Sequence, residues 1–145
     1  MGARYSVNKV GTALCTTADS MTITAPATRA LKISEIRISA QGTATAANEI
    51  MIARSTGGAT PVAITPQPMA SAAAAAAFTA AGSWTTQPTL GVVLRRIGVN
   101  SNGAIFPLVL MPGNEIEIPP SGQLSIRSAS GTGIVTIDML VEEVG

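Results

Sequence analysis

The carboxylates are the side chains of this sequence that could do acid–base or metal chemistry, because histidine is absent. Only two pairs are close in sequence, Glu115 with Glu117 and Glu142 with Glu143. Glu115 and Glu117 would share one face of a strand, which allows a glycosidase-like pair or a metal site, although a solvated strand face explains them more simply. Glu142 and Glu143 would point to opposite faces of a strand, so we expect no joint role for them.

Sulfur chemistry is limited to one cysteine, Cys15. A single cysteine without histidine excludes an intrachain disulfide, a Cys/His zinc site and a histidine general acid or base. Because no basic partner is near it in sequence, we expect Cys15 to be a small buried side chain rather than a reactive thiol. The sequence therefore predicts that the protein is not an enzyme and has no catalytic, cofactor-binding or metal-binding residues.

Signals for phosphate and nucleic-acid binding are weak. The glycine turns Gly57-Gly58 and Gly131-Thr132-Gly133 lack the following helix and lysine of a phosphate-binding loop. In the one basic pair, Arg95-Arg96, one arginine would face each side of a strand, without aromatic neighbours on which bases could stack. With nine basic and eight acidic side chains, the chain is not expected to bind nucleic acid over a broad face. A salt bridge or a subunit contact is the expected role of this pair.

The longest uncharged stretch runs from Ser55 to Leu94. Prolines and Gly82 interrupt it and leave only Met69–Ala81, which is too short and too rich in alanine for a membrane span. We therefore expect no membrane contact. The alanine run predicts either one short helix, from Ser71 as N-cap to Gly82, or an irregular loop packed on something apolar.

The rest of the chain has the patterns of β-strands. Strict alternation in Glu115-Ile116-Glu117-Ile118 predicts a half-buried strand, and the last 43 residues have the pattern of four successive antiparallel strands, the first at Gly103–Leu110. Pro- and Gly-containing turns separate them. Five earlier strands are expected at Tyr5–Leu14, Ser20–Thr24, Ala30–Ser39, Glu49–Arg54 and Leu90–Val99, with a further short one at Pro61–Thr65.

In the strand expected at Ala30–Ser39, the alternation of apolar and polar residues changes phase along the strand. Its apolar positions are 31 and 33, then 36 and 38, so that the alternation slips once. One inserted residue turns every later side chain to the opposite face of a strand. The sequence therefore predicts a β-bulge near Ser34 and Glu35.

The strand count and the length of 145 residues together favour one all-β domain over residues 1–145. Eight to ten short strands predict a single antiparallel β-sandwich of the jelly-roll kind, with a small barrel as the alternative. Two segments are not obviously required by the core. They are an N-terminal arm of about residues 1–10 and a long Ala/Pro/Thr-rich insertion of about residues 56–89.

The composition predicts contacts between subunits. Charged residues make up 12% of the chain, about half the share of roughly 25% usual in soluble domains. So few charges leave a surface that we expect to be partly covered by other copies, in a homo-oligomer and specifically a trimer. The residues expected at contacts with other chains come from the arm, the insertion and the basic pair: Arg4, Tyr5, Lys9, Met69, Phe78, Trp84, Arg95 and Arg96.

The second half of the chain carries a family resemblance. The segments Leu94-Arg95-Arg96-Ile97-Gly98-Val99-Asn100, Gly103-Ala104-Ile105-Phe106-Pro107, Pro112-Gly113-Asn114-Glu115-Ile116-Glu117-Ile118-Pro119-Pro120 and Val141-Glu142-Glu143 follow one another in that order after the Ala/Pro/Thr-rich insertion. Together they resemble small structural proteins of tailed bacteriophage virions, in particular capsid decoration, or cement, proteins. The resemblance covers most of Leu90–Gly145 and consists of turn and strand patterns.

The resemblance implies a jelly roll that sits as a trimer on the outer surface of the virion, after synthesis in the host cytoplasm. It implies binding to the lattice of the major capsid protein, which would then resist expansion or rupture. Of the two segments outside the expected core, the N-terminal arm is expected to contact the capsid and the Ala-rich loop to contact a neighbouring subunit.

Two other functions fit the same fold. One is a structural subunit of a phage tail or baseplate, and the other is a carbohydrate-binding jelly-roll module or tail-tip adhesin. Sugar-binding platforms usually need several exposed aromatic side chains, whereas this chain has one tryptophan and one tyrosine. The sequence therefore favours the decoration protein over the carbohydrate-binding module.

Overall fold

The computed structural model describes residues 2–42, 47–100, 102–130 and 133–145. Within these ranges the chain forms twelve β-strands and no helix. The strands are β1 Arg4–Ala13, β2 Asp19–Thr24, β3 Ala30–Ala40, β4 Ala47–Thr56, β5 Val62–Ile64, β6 Gln67–Pro68, β7 Thr79–Gly82, β8 Thr89–Asn100, β9 Ile105–Val109, β10 Ile116–Ile118, β11 Gln123–Ser130 and β12 Ile134–Val144.

The strands form two antiparallel sheets that pack face to face. The first, sheet A, has the order β10-β3-β12-β1-β6, and β9 pairs with the same edge of β3 as β10. The second, sheet B, has the order β5-β7-β2-β11-β4-β8. If β9 and β10 count as one position, the long strands run β1-β12-β3-β9/β10 and β2-β11-β4-β8. This is the order of the eight strands of a jelly roll, so the predicted fold is confirmed.

The strand segments expected from alternation are all present, but one expectation about their arrangement is wrong. The last four strands, β9 to β12, were expected to follow one another as antiparallel neighbours. None of the four pairs with the next: β9, β10 and β12 all pair with β3, while β11 lies in sheet B between β2 and β4. Periodicity determines which face of a strand is buried but does not identify its neighbours.

Bulges set the direction of side chains in both sheets. In the pairing of β3 with β12, Glu35 lies opposite Leu140 and Ile33 opposite Val141, so Ser34 is the extra residue of the predicted bulge. The prediction is confirmed. A second bulge was not expected: in β2, Asp19 and Met21 pair with consecutive residues of β11, which makes Ser20 the extra residue. This bulge turns Asp19 away from the core and onto the outer face of sheet B.

The core lies between the two sheets and consists mainly of branched aliphatic side chains. Isoleucines from β3, β4, β10, β11 and β12 are fully or almost fully buried, and Met21 and Met139 fill gaps between them. The aromatic members Tyr5 and Phe78 meet edge to face, with ring centroids 5.5 Å apart. Burial of these side chains is the main stabilising contribution to the fold.

The expectation of an N-terminal arm at about residues 1–10 is wrong. Residues 4–13 form β1, which pairs with β12 along most of its length and with β6 on its other side. Tyr5 and Val7 of this strand belong to the core. The alternation of Tyr5 and Val7 with polar residues is the signal for a half-buried strand, and it indicates that the start of the chain belongs to the sandwich.

The helix alternative for the Ala-rich segment is also wrong, and the irregular loop is what forms. Residues 69–78 have no regular secondary structure. The loop is held at its ends and middle by its own chain: Tyr5 Oη donates to the carbonyl of Ala74 at 3.1 Å, and the Ala77 amide donates to the buried carboxylate of Glu143 at 2.6 Å. A short run without a charged face gains little from helix formation in water, so these tertiary contacts decide its conformation.

Candidate interaction surface

The outer face of sheet A is open to solvent and carries rows of side chains that cross the strands. One row is Arg4, Glu142, Lys32 and Glu117, each opposite the next on neighbouring strands, so the charges alternate in sign from β1 to β10. The Nε atom of Arg4 lies 3.5 Å from a carboxylate oxygen of Glu142. Unlike charges opposite one another stabilise a sheet modestly, and this row leaves a positive end at β1 and a negative end at β10.

A second feature of this face is a stripe of apolar side chains along the edge strand β9. Ile105 and Val109 are 67% and 66% exposed, and Met111, just beyond the strand, is 72% exposed. On the other face of the same strand, Phe106 and Leu108 pack against the core. A strand that is apolar on both faces is typical of one that is buried on both sides. In the single chain, only one side of β9 is covered.

The edges of both sheets are protected against pairing with another strand. The short strands β5 and β6 are accompanied by Pro61, Pro66 and Pro68, and β9 contains Pro107. The long edge strand β8 has two irregularities in its pairing with β4 and two exposed arginines. Prolines, bulges and charges are the usual means of blocking edge-to-edge pairing. Contact with another molecule is therefore expected through side chains rather than through an added strand.

The outer face of sheet B is covered over β2 and β11 by the segment 83–88, called here the Trp84 loop. The indole Nε1 of Trp84 donates to Thr22 Oγ1 at 3.1 Å, and Gln87 bridges the Trp84 carbonyl and the Asp19 amide. The Trp84 ring lies so close to Gly58 that a Cβ atom there would be 2.6 Å from it. Gly58 also has a φ of 98°, which favours glycine.

Beneath the Trp84 loop lies a buried polar network centred on Asp19. Its carboxylate, which is fully buried, accepts a hydrogen bond from Arg127 Nε at 2.6 Å and one from Thr22 Oγ1 at 3.2 Å. Ser125 Oγ lies 2.6 Å from the same carboxylate and 2.7 Å from Ser55 Oγ. Arg127 also donates to the Pro88 carbonyl at 3.0 Å. The network thus fixes the loop to the sheet.

The sequence pattern does not predict this network. Thr22, Ser125 and Asp19 occupy positions at which a two-layer sandwich would expose its side chains to water. Burial of these positions depends on the bulge at Ser20 and on coverage by a loop that is more than 60 residues away in sequence. Neither the bulge nor the coverage is encoded in the local pattern.

Of the residues expected at contacts, the structure brings Arg4 and Met69 together. The Met69 amide donates to the Arg4 carbonyl at 2.9 Å, and the Met69 side chain is 61% exposed at the edge of sheet A. A shallow groove of about 300 Å³ lies beside them, lined also by Gly2, Ala3, Ala70 and Ala73. These two residues are available for contact with another molecule.

The expectation of contacts with other molecules is wrong for Tyr5 and Phe78. Their side chains are only 2% and 3% exposed and belong to the core of their own chain. The remaining four lie apart from one another. Lys9 is half-buried near Gly82, and Trp84 is half-buried over sheet B. Arg95 and Arg96 are exposed on β8, where Arg96 pairs with Glu49. As subunit or capsid contacts, these four residues stay predictions.

The expectation of a buried Cys15 is wrong. Cys15 lies in the loop between β1 and β2 and is partly exposed, with its Sγ atom 3.2 Å from Thr17 Oγ1. Hydrogen bonds from the Thr17 side chain and backbone hold the pKa of the thiol below its ordinary value, with smaller contributions from the Ala18 amide and the charge of Arg127. A loop position follows from the turn between two strands, whereas the apolar neighbour Leu14 suggested burial.

The carboxylate pair Glu115 and Glu117 does not form a shared site. Glu117 lies on β10 opposite Lys32, whereas Glu115 precedes the strand and accepts a hydrogen bond from the Gly113 amide at 2.7 Å. Backbone amides of Glu115 itself and of Gly113 lower the pKa of the Glu115 carboxyl. Within the described ranges, no group of three potential ligands is placed to hold a metal ion.

An open cleft of about 700 Å³ lies at the end of the sandwich where the two chain ends meet. Its charged lining consists of three basic and three acidic side chains: Arg4, Arg29, Lys32, Glu115, Glu142 and Glu143. Arg29 pairs with Glu143 at 3.1 Å, and the mixture of charges favours no ligand of one sign. In the part of the chain that the structure describes, no helix has the length and apolar character needed to cross a membrane.

No family model matches this chain, and no curated protein or solved structure shows significant similarity to it.

Proposed function

We propose that this chain is a structural protein of a tailed-phage virion that binds the outside of the assembled capsid and stabilises its lattice. The observation that carries the proposal is the open outer face of sheet A, where the exposed apolar side chains of Ile105, Val109 and Met111 are available for contacts with other copies and with the capsid. Exposed apolar patches of a few hundred Å² mark sites of contact with other macromolecules. The family resemblance of Leu90–Gly145 supplies the kind of assembly.

The proposed protein acts by binding rather than by catalysis. Each copy makes weak contacts, and an oligomer places several copies on a repeating lattice at once. Multivalent attachment raises the apparent affinity by orders of magnitude without a strong single contact. We propose a trimer of the 14.6 kDa chain, with the major capsid protein as its partner and no cofactor.

The carbohydrate-binding alternative has less support. All four aromatic side chains are in the described part of the chain, where Tyr5 and Phe78 are buried and Trp84 and Phe106 are half-buried. Stacking on a sugar ring needs an exposed aromatic face. A tail or baseplate subunit uses the same kind of surface and remains an outcome that the following experiment can identify.

The test is binding of the purified protein to capsids of the phage that encodes it, after bound accessory proteins have been removed. We expect co-sedimentation that saturates at a fixed ratio to the major capsid protein, and we expect saturated capsids to rupture at a higher temperature. Electron cryomicroscopy of intact particles then locates the protein. Absence from the outer head surface, with density on the tail or baseplate instead, would overturn the proposal in favour of the alternative.

A further inference from the structure

We propose that copies of this chain contact one another head to tail through the two opposite edges of sheet A. In this contact, Met111 and Glu117 at the β9/β10 edge of one copy meet Met69 and Arg4 at the β1/β6 edge of the next. The inference rests on the proposed function only in assuming that the protein is an oligomer. The contact itself forms without a capsid.

Charge is the first observation that supports this contact. The row Arg4, Glu142, Lys32 and Glu117 alternates in sign, so its inner members are neutralised by neighbours on both sides. Its outer members each have a charged neighbour in the row on one side only. The Arg4 side chain is 53% exposed and Glu117 is exposed. A second copy placed head to tail continues the alternation, because its positive end follows the negative end of the first.

Shape is the second observation. Met111 protrudes beyond β9 and is 72% exposed, which makes it the most exposed of the large apolar side chains in the described ranges. At the opposite edge, Met69 borders the shallow groove of about 300 Å³. That volume accommodates a methionine side chain, and the flexible thioether adapts well to such a surface. Val109 extends the apolar contact along the strand.

Symmetry explains why a second copy fits better than another protein. The two complementary ends belong to the same chain and the same sheet, and every copy carries both. Such a head-to-tail, or heterologous, contact closes into a ring when the rotation between neighbouring copies is a whole-number fraction of a full turn. A rotation of one third of a turn gives a trimer. In such a contact every copy covers both of its own ends without a second kind of partner.

The experiment measures the molar mass of the purified full chain by light scattering over a concentration series, without capsids. The reversals Arg4→Glu and Glu117→Arg are each expected to weaken self-association about tenfold. The double variant restores the pairing of unlike charges between copies and is expected to return to within about threefold of the unmodified protein. Glu49→Arg is the matched control, a charge reversal in an exposed ion pair of sheet B, and should change the association less than threefold.

The outcomes separate a contact from a folding defect. Arg4 also pairs with Glu142 in its own chain, so thermal unfolding of each variant is measured alongside. Met111→Lys alters no ion pair and is expected to shift the protein to the monomer of 14.6 kDa with unchanged unfolding. A double reversal as weak as the single ones, an unaffected Met111→Lys, or a monomeric unmodified protein would overturn the inference. Loss of capsid binding with an intact oligomer would instead contradict the proposed function alone.

Discussion

The outer faces of the two sheets differ in what covers them. Over β2 and β11, the outer face of sheet B is covered by its own chain, since the Trp84 loop lies over a network in which Asp19 is fully buried. The outer face of sheet A is open, with a charge-alternating row and an apolar stripe exposed to solvent. Polar residues stabilise the fold on one face, whereas we propose that apolar residues on the other face serve contact with another molecule.

The largest expected effect comes from the covered part of sheet B. Asp19→Ala leaves Arg127 without its carboxylate in a site where the arginine side chain is only 12% exposed. Breaking one side of a buried ion pair costs about 3 kcal/mol or more of unfolding free energy, to be measured by urea denaturation.

Glu49→Ala is the matched control, because the pair of Glu49 with Arg96 is exposed. It should cost less than about 1 kcal/mol. Equal losses for Asp19→Ala and Glu49→Ala would show that burial of the network contributes nothing, and would remove the difference between the two faces.

A smaller effect is expected from the loop that covers the network. Trp84→Ala removes a half-buried indole and its hydrogen bond to Thr22, and should lower the unfolding free energy by about 2 kcal/mol. Hydrogen exchange of the backbone amides of β2 should accelerate in the same variant, because the loop no longer shields them. Unchanged exchange would contradict the covering role of the loop.

The neighbouring residues Glu142 and Glu143 allow a comparison of an exposed and a buried carboxylate, of which only the buried one holds the Ala-rich loop. Glu143 is buried and accepts the Ala77 amide, whereas the side chain of its neighbour Glu142 lies on the open face. Glu143→Ala should cost about 1–2 kcal/mol, because it leaves the part-buried Ala77 amide and the buried Phe78 amide unpaired, and should make residues 70–77 susceptible to protease.

Glu142→Ala should cost less than about 1 kcal/mol and leave the loop resistant to protease. Cleavage at the same rate in both variants would argue that Glu143 does not hold the loop.

The smallest expected effect is chemical rather than structural. Because hydrogen bonds to Thr17 hold the Cys15 pKa below its ordinary value, the thiolate forms at a lower pH than in an unfolded chain. Alkylation of the native protein by iodoacetamide should therefore reach half its maximal rate at lower pH than alkylation of the urea-unfolded protein. Thr17→Val should move the native midpoint upward. Coinciding midpoints for native and unfolded protein would contradict this account.

Local sequence patterns predict the fold of this chain more fully than its surface. Period-two alternation indicated nearly every strand and the bulge at Ser34, because each depends on a few neighbouring residues. The burial of Asp19 could not be predicted, since it depends on a bulge and on a loop distant in sequence. The stripe on β9 was detectable, because the uncharged segment Gly103–Asn114 is apolar at both odd and even positions.

The errors have a common physical origin. The helix alternative for the Ala-rich segment rests on intrinsic propensity, and the expected N-terminal arm treats β1 as separate from the core. In both, tertiary contacts decided the outcome: Tyr5 packs on Phe78 and binds the carbonyl of Ala74. Aromatic residues in a chain with so few of them are therefore better indicators of the core than of an interface.

The most direct test of the difference between the faces is the accessibility of a single thiol on each sheet in the assembled protein. In a Cys15→Ser background, Val109→Cys places a thiol on the open face of sheet A, and Val92→Cys places one on β8 of sheet B at a similarly exposed position, 69% against 66%. Both thiols should react rapidly with a maleimide in the dissociated monomer. On assembly, the account predicts strong protection at position 109 and unchanged reactivity at position 92. Unchanged reactivity at 109, or protection at 92 alone, would contradict it.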